Sequence, residues 1–283
     1  NKQVALFGGL LYDGPEEDSL KDEKPIDEIG KTPQEEQSKS NHGMKGASWE
    51  YLPGTEEEIK DLRKLFKSSH YKVMSYSGSM GTEKLFKAMV KSGSSPGIIH
   101  LATHGYFFSD AMREVSKLQF VAGRQEPVFK SSEQPMLRSG LILSGGNAGW
   151  RGERKLVDQE DGVLTAYEIS QLDLSNTELV VLSACETGLG DIQGNEGVYG
   201  LQRAFKIAGV KYIIMSLWQV PDKQTSMLMT TFYKNWLENK MTIPDAFHAA
   251  QKELRDLGFD PYQWAGFVLI ESSSFDRFGH DFN

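Results

Sequence analysis

The sequence predicts an α/β fold in three layers, a mostly parallel sheet of roughly six strands between two layers of helices. Two observations carry this. Short runs of branched apolar residues recur without the polar alternation of a half-wetted strand, which marks strands buried on both faces. Most are followed by stretches with apolar residues at helical spacing, and strands alternating with helices give a parallel sheet covered on each side.

The first strand runs from Gln3 to Leu11 (QVALFGGLL), with a glycine pair near its end. From Tyr12 to about Ser48, Glu, Asp, Lys, Ser and Gln replace the apolar residues, which reads as a long polar insertion. Pro53 to Glu58 opens a helix, with Thr55 as N-cap and Glu58 closing a capping box. Ile59, Leu62, Leu65 and Phe66 give that helix its apolar face. Tyr71 to Tyr76 is a second strand, and Thr82 to Lys91 a second helix carrying Leu85, Phe86 and Met89 inward.

Gly97 to Gly105 (GIIHLATHG) is the third strand. Tyr106 to Arg138 reads as a second irregular insertion, and Ser139 to Ser144 as a short strand of a surface hairpin. Gly145 to Glu160 is glycine-rich and polar, and Asp161 to Thr165 leads into a helix ending near Leu172. Leu179 to Cys185 (LVVLSAC) is the fourth strand. A helix from Gly197 to Ile207 follows, with Val198, Leu201, Ala204 and Phe205 on one face. Tyr212 to Leu217 is the fifth strand, the helices Lys223–Glu238 and Ile243–Leu257 come next, and Gly266 to Glu271 is the last strand. The expectation is one domain over residues 1–283, interrupted at about 12–48 and 106–138, with no internal repeat. A strand begins almost at the first residue, Asn1, so an excised domain with a missing upstream segment is expected.

The chemistry concentrates at two strand ends. The fourth strand stops on Cys185, the only cysteine, and a glycine-studded loop follows through Gly188, Gly190, Gly194 and Gly197. The third strand stops on His104-Gly105. The carboxyl ends of parallel strands are where open α/β sheets place their ligand crevices. A His and a Cys delivered to one sheet edge make a nucleophile and its proton acceptor.

Composition excludes several other classes. With 39% hydrophobic and 25% charged residues the chain is an ordinary globular one. A net charge of −8 without a dense Lys/Arg cluster argues against nucleic acid or an anionic membrane as the main partner. One cysteine rules out an internal disulfide, so no oxidising compartment is needed and a cytoplasmic protein is expected. No apolar run approaches the roughly 20 residues of a membrane span.

His100 and His104 would suggest metal ligands on a helix. On a strand they lie about 13 Å apart, too far to hold one ion. Without HExxH or a second cysteine, no metal is expected, and His100 reads as a packed or hydrogen-bonded strand residue. His42, His70, His248 and His280 need no functional explanation. No GxxxxGK[ST] or GxGxxG spacing follows any strand, so no cofactor is expected. GxSxG occurs only at Gly93 to Gly97, ahead of a strand and not at the end of one, so no serine-hydrolase elbow is expected.

An apolar strand ending His-Gly paired with a later one ending Ala-Cys is the pattern of caspase-like cysteine peptidases. HLATHG, VVLSACETGLG and the strand running into SLWQVPD resemble the CHAT domain, a caspase-like domain often joined to tetratricopeptide repeats in bacteria. The resemblance spans nearly the whole chain. It implies a caspase-like fold and a cysteine endopeptidase acting through a dyad, with Cys185 as nucleophile and His104 as base and then acid. It also implies an oxyanion hole of the Gly105 and Cys185 N–H groups, and a glycine there lets backbone approach the intermediate closely. By the same resemblance Glu186, Ser216, Trp218 and Asp222 are candidates for binding substrate, which would lie extended beside Ser216 to Val220. Asp222 would favour a basic or neutral residue before the cut, unless it only caps the next helix. The partners implied are a protein substrate, a tetratricopeptide-repeat region upstream, and an activating partner that sets the loop Glu186 to Gly197. The alternative is a catalytically inert module of the same fold that acts as a scaffold.

Overall fold

In the computed structural model of the chain, residues 2–13, 48–91, 93–108, 129, 132–153, 160–183, 196–218 and 220–272 are described. Their elements are β1 (Gln3–Leu10), α1 (Pro53–Ser68), β2 (Lys72–Gly78), α2 (Glu83–Met89), β3 (Ile98–Leu101), β4 (Gly105–Phe107) and β5 (Ser139–Ile142). There follow α3 (Gly146–Trp150), β6 (Val163–Thr165), α4 (Ala166–Ser170), β7 (Leu179–Leu182), α5 (Glu196–Ile207) and β8 (Tyr212–Ser216). The chain continues through α6 (Asp222–Leu237), α7 (Ile243–Asp256), α8 (Pro261–Trp264) and β9 (Phe267–Glu271).

The main sheet has six strands in the order β2-β1-β3-β7-β8-β9. All neighbours are parallel except β9, which runs antiparallel to β8. Alternate residues of each strand enter two cores. Val4, Leu6, Ile98, Leu179, Val181 and Ile214 pack with residues of α1, α6 and α7. Ala5, Phe7, Ile99, Leu101, Val180, Leu182, Ile213 and Met215 pack with Phe86 of α2, Ile169 of α4 and Leu201, Ala204 and Phe205 of α5. The period of two thus produces the three expected layers, and burying both faces explains why these strands are apolar throughout.

Several local expectations are corrected. Helix α1 begins at Pro53, with Leu52 as N-cap and no side-chain cap. Thr55 Oγ1 instead accepts from Gly9 N–H (2.8 Å) and donates to Leu52 O (2.7 Å), tying the helix to the end of β1. Glu58 turns inward to a buried polar cluster. Backbone of the helix passes so close to β1 that a Cβ on Gly8 would lie 2.7 Å from Thr55 O. Ser139 to Ile142 is no surface strand; it is fully buried as the middle of an antiparallel sheet ordered β4-β5-β6. That sheet takes Tyr106 and Phe107 from the stretch read as irregular. The polar glycine stretch contains α3, whose short length and glycines give no periodicity to read.

Candidate functional site

Strands β3 and β7 pair with Leu101 opposite Leu182, and Ser183 N–H donates to Leu101 O at 3.0 Å. His104 and Cys185 each stand three positions past that matched pair in the sequence. Cys185 and Glu186 lie outside the described residues, which stop at Ser183 on this strand.

His104 is held at both ends. Its backbone carbonyl accepts from Ile142 N–H at 2.8 Å, which joins it to the small sheet. Its imidazole is buried, with ring centroids 4.9 Å from Tyr12 and 4.8 Å from Trp49. The Nε2 nitrogen lies 2.8 Å from the Glu50 carbonyl oxygen. A carbonyl can only accept, so Nε2 carries the proton, and in the neutral ring Nδ1 holds the lone pair. No motif pointed to Glu50, because any residue supplies a carbonyl. Thr103 donates to Ile142 O (2.5 Å), so at 3.0 Å it accepts from Tyr12 OH. The ring beside His104 is thereby fixed as well.

Beneath this edge His100 is fully buried on the α1/α6 face. Its Nε2 is 3.0 Å from Glu58 Oε1 and its Nδ1 is 3.2 Å from Tyr233 OH. Glu58 Oε2 accepts from Ser183 Oγ at 3.0 Å. A buried carboxylate is tolerated only with such partners. His100 is therefore a structural residue, as its strand position suggested, and the cluster links α1 and α6 to β3 and to the end of β7. Because β3 ends at Leu101, the strand geometry that put His100 and His104 on one face does not extend to His104.

The other described candidates lie between the end of β8 and the start of α6. Asp222 is the first residue of that helix, whose N-cap is Pro221, with no side-chain cap. One side of it faces solvent, but its carboxyl packs over Gly54, where a Cβ would lie 2.7 Å from Asp222 Oδ2. Partial burial raises its pKa above the usual carboxylate range, the charge of Glu58 raises it further, and His104 pulls it back. Ser216 is buried at the end of β8. Trp218 stacks on Tyr262 (5.8 Å between centroids) and donates its indole N–H to Tyr262 O at 2.8 Å. Strand β8 lies between β7 and β9, and Leu217 N–H donates to Gly266 O at 2.7 Å. The β9 side of this stretch is therefore already paired.

Away from this edge, Glu83, Glu160 and Glu168 bring carboxylate oxygens within 4.8 Å of one another. The Lys87 ammonium sits among them, at 2.7, 2.8 and 2.9 Å, where a cation would otherwise bind. Among the described residues no helix is long and apolar enough to cross a membrane.

The family model for the CHAT domain matches residues 16–272. Tetratricopeptide repeat protein 28 of Mus musculus is 33% identical over 111 residues, which is 39% of this chain and 4% of that protein. Tetratricopeptide repeat protein 28 of Homo sapiens is 35% identical over 112 residues, again 39% of this chain and 4% of that protein. The chain thus spans a small fraction of the length of these relatives.

Proposed function

Because the chain belongs to the CHAT family, we propose that it is a single caspase-like domain and a cysteine endopeptidase working through Cys185 and His104. The observation that supports this most is the imidazole of His104, oriented by a backbone carbonyl at the end of the strand that pairs in register with the one leading to Cys185. In this reading Nδ1 of His104 takes the thiol proton and the thiolate adds to the scissile carbonyl carbon. The Gly105 and Cys185 N–H groups carry the oxyanion. The imidazolium then protonates the departing amine, leaving a thioester at Cys185. Water, deprotonated by the same nitrogen, releases the acid and restores the thiol.

Glu186, Ser216, Trp218 and Asp222 bind substrate, with Asp222 selecting a basic or neutral residue before the cut. The family's repeat association and the two relatives support a tetratricopeptide-repeat region as sensor in the full-length protein. A partner acting through it sets the stretch from Glu186 to the start of α5 at Glu196. The expected compartment is the cytoplasm. The test is cleavage across a protein library by the full-length protein with and without co-encoded partners. Equal cleavage by the bare domain and the partner-bound protein contradicts control of that loop. The second reading is an inert scaffold, favoured by the relatives being named only for their repeats. It predicts a Cys185 that reacts no faster than a model thiol.

A further inference from the structure

We infer that Asn147 is the positioning residue that holds His104 in the tautomer its role requires, an inference resting on the assignment of His104 as the base. Asn147 lies in α3 and is fully buried. Its Oδ1 accepts from Trp49 N–H at 2.6 Å, and its Nδ2 donates to Trp49 O at 3.1 Å and to Asp13 Oδ1 at 2.9 Å. Its own backbone N–H donates to Tyr12 O at 2.9 Å. One residue therefore ties the chain after β1, at Tyr12 and Asp13, to the chain before α1, at Trp49. Arg151 reinforces the tie, reaching Ser48 Oγ at 2.9 Å and Asp13 Oδ1 at 3.6 Å.

The two tied segments supply both rings against the imidazole and the carbonyl that receives Nε2–H. A side-chain amide that bonds both the N–H and the C=O of Trp49 fixes that residue as a strand partner would. It thereby fixes the following Glu50 carbonyl. With the tie broken, the carbonyl no longer selects Nε2–H, and the fraction of rings presenting the lone pair at Nδ1 falls.

The experiment combines tautomer and rate. In a Cys185→Ala background, which removes any thiolate–imidazolium pair, ¹⁵N-histidine NMR at a pH where the ring is neutral should show His104 as the Nε2–H form. Adding Asn147→Ala should give a mixture of tautomers. In the parent chain Asn147→Ala should slow inactivation by a peptidyl electrophile at saturation by about 10- to 100-fold, with its binding constant within about twofold. Asn147→Asp, which sets a carboxylate oxygen against the two acceptors Trp49 O and Asp13 Oδ1, should slow it at least as much as Asn147→Ala. An unchanged tautomer together with an unchanged saturating rate in Asn147→Ala overturns the inference. If the alanine variant does not fold, amide exchange at Trp49 in the parent decides: strong protection supports the tie and open-amide exchange overturns it. A parent that is never alkylated contradicts the peptidase reading instead, and the tautomer measurement still judges Asn147.

Discussion

The Nε2 nitrogen of His104 lies 2.8 Å from the carbonyl oxygen of Glu50, so backbone orients the ring. In the proposed mechanism the lone pair at Nδ1 then serves as the base for the Cys185 thiol. His104→Ala should lower the rate of Cys185 alkylation by about 10²- to 10⁴-fold near neutral pH. The residual rate should climb toward the ordinary thiol range, about pH 8.5, where the thiolate forms without help. A pH–rate profile of the variant measures this. A residual rate already flat from neutral pH upward would show that the imidazole is not what ionises the thiol.

Asp222 and Gly54 touch closely enough to bury part of a carboxyl, and the raised pKa of Asp222 follows from that and from Glu58. A cationic side chain binds the ionised form, so its KM should rise as pH falls through that raised pKa. Asp222→Asn should raise KM for peptides with Arg or Lys before the cut by about 10- to 100-fold, the size of a charged hydrogen bond. Peptides with a neutral residue there should change little. A peptide library with strict preference for Asp at that position sinks the assignment.

His100, Glu58, Ser183 and Tyr233 form one buried cluster. Glu58→Ala leaves His100 and Ser183 without that carboxylate, and the expected loss of stability is about 3 kcal/mol. Asp61→Ala removes only the exposed pair with Lys64, and its effect should stay within about 0.5 kcal/mol. Denaturant titration of both variants checks the contrast, and equal losses would contradict the buried role.

Burial lifts the Glu83 carboxyl to about 7, with the Glu168 and Asp161 charges adding to it and Lys87 opposing. The folded chain then holds a proton that the unfolded chain, with an ordinary carboxylate, has released. Stability should therefore fall as pH rises from about 4.5 to 7 and level off above, by at most about 3 kcal/mol from this group. Glu83→Gln should flatten that slope between pH 5 and 8. An identical slope in the variant assigns the pH dependence elsewhere.

The main sheet was legible because β1, β3, β7 and β8 bury both faces, which leaves mostly apolar runs, with His100 the buried polar residue within β3. The His-Gly pair was read as the end of the third strand, but β3 stops at Leu101 and Gly105 opens β4, a break that no change of residue type announces. Ala184 and Cys185 lie outside the described residues. The antiparallel β9 was not separable from its parallel neighbours, since direction leaves no trace in five residues. Thr55 and Glu58 have the spacing of a capping box, but the same residues answer longer-range partners in Gly9, His100 and Ser183. The support of His104 was invisible for a related reason. It uses the carbonyl of Glu50, 54 positions from His104, and the amide of Asn147, 98 positions from Trp49, and neither leaves a local pattern.

The most direct measurement is mass-spectrometric identification of the residue alkylated by a peptidyl electrophile in the full-length protein with its partners, beside His104→Ala and a model thiol. Labelling is expected at Cys185 well above the model-thiol rate, with its loss in His104→Ala. Labelling of Cys185 no faster than the model thiol, unchanged by His104→Ala, would contradict it and leave the inert scaffold as the reading.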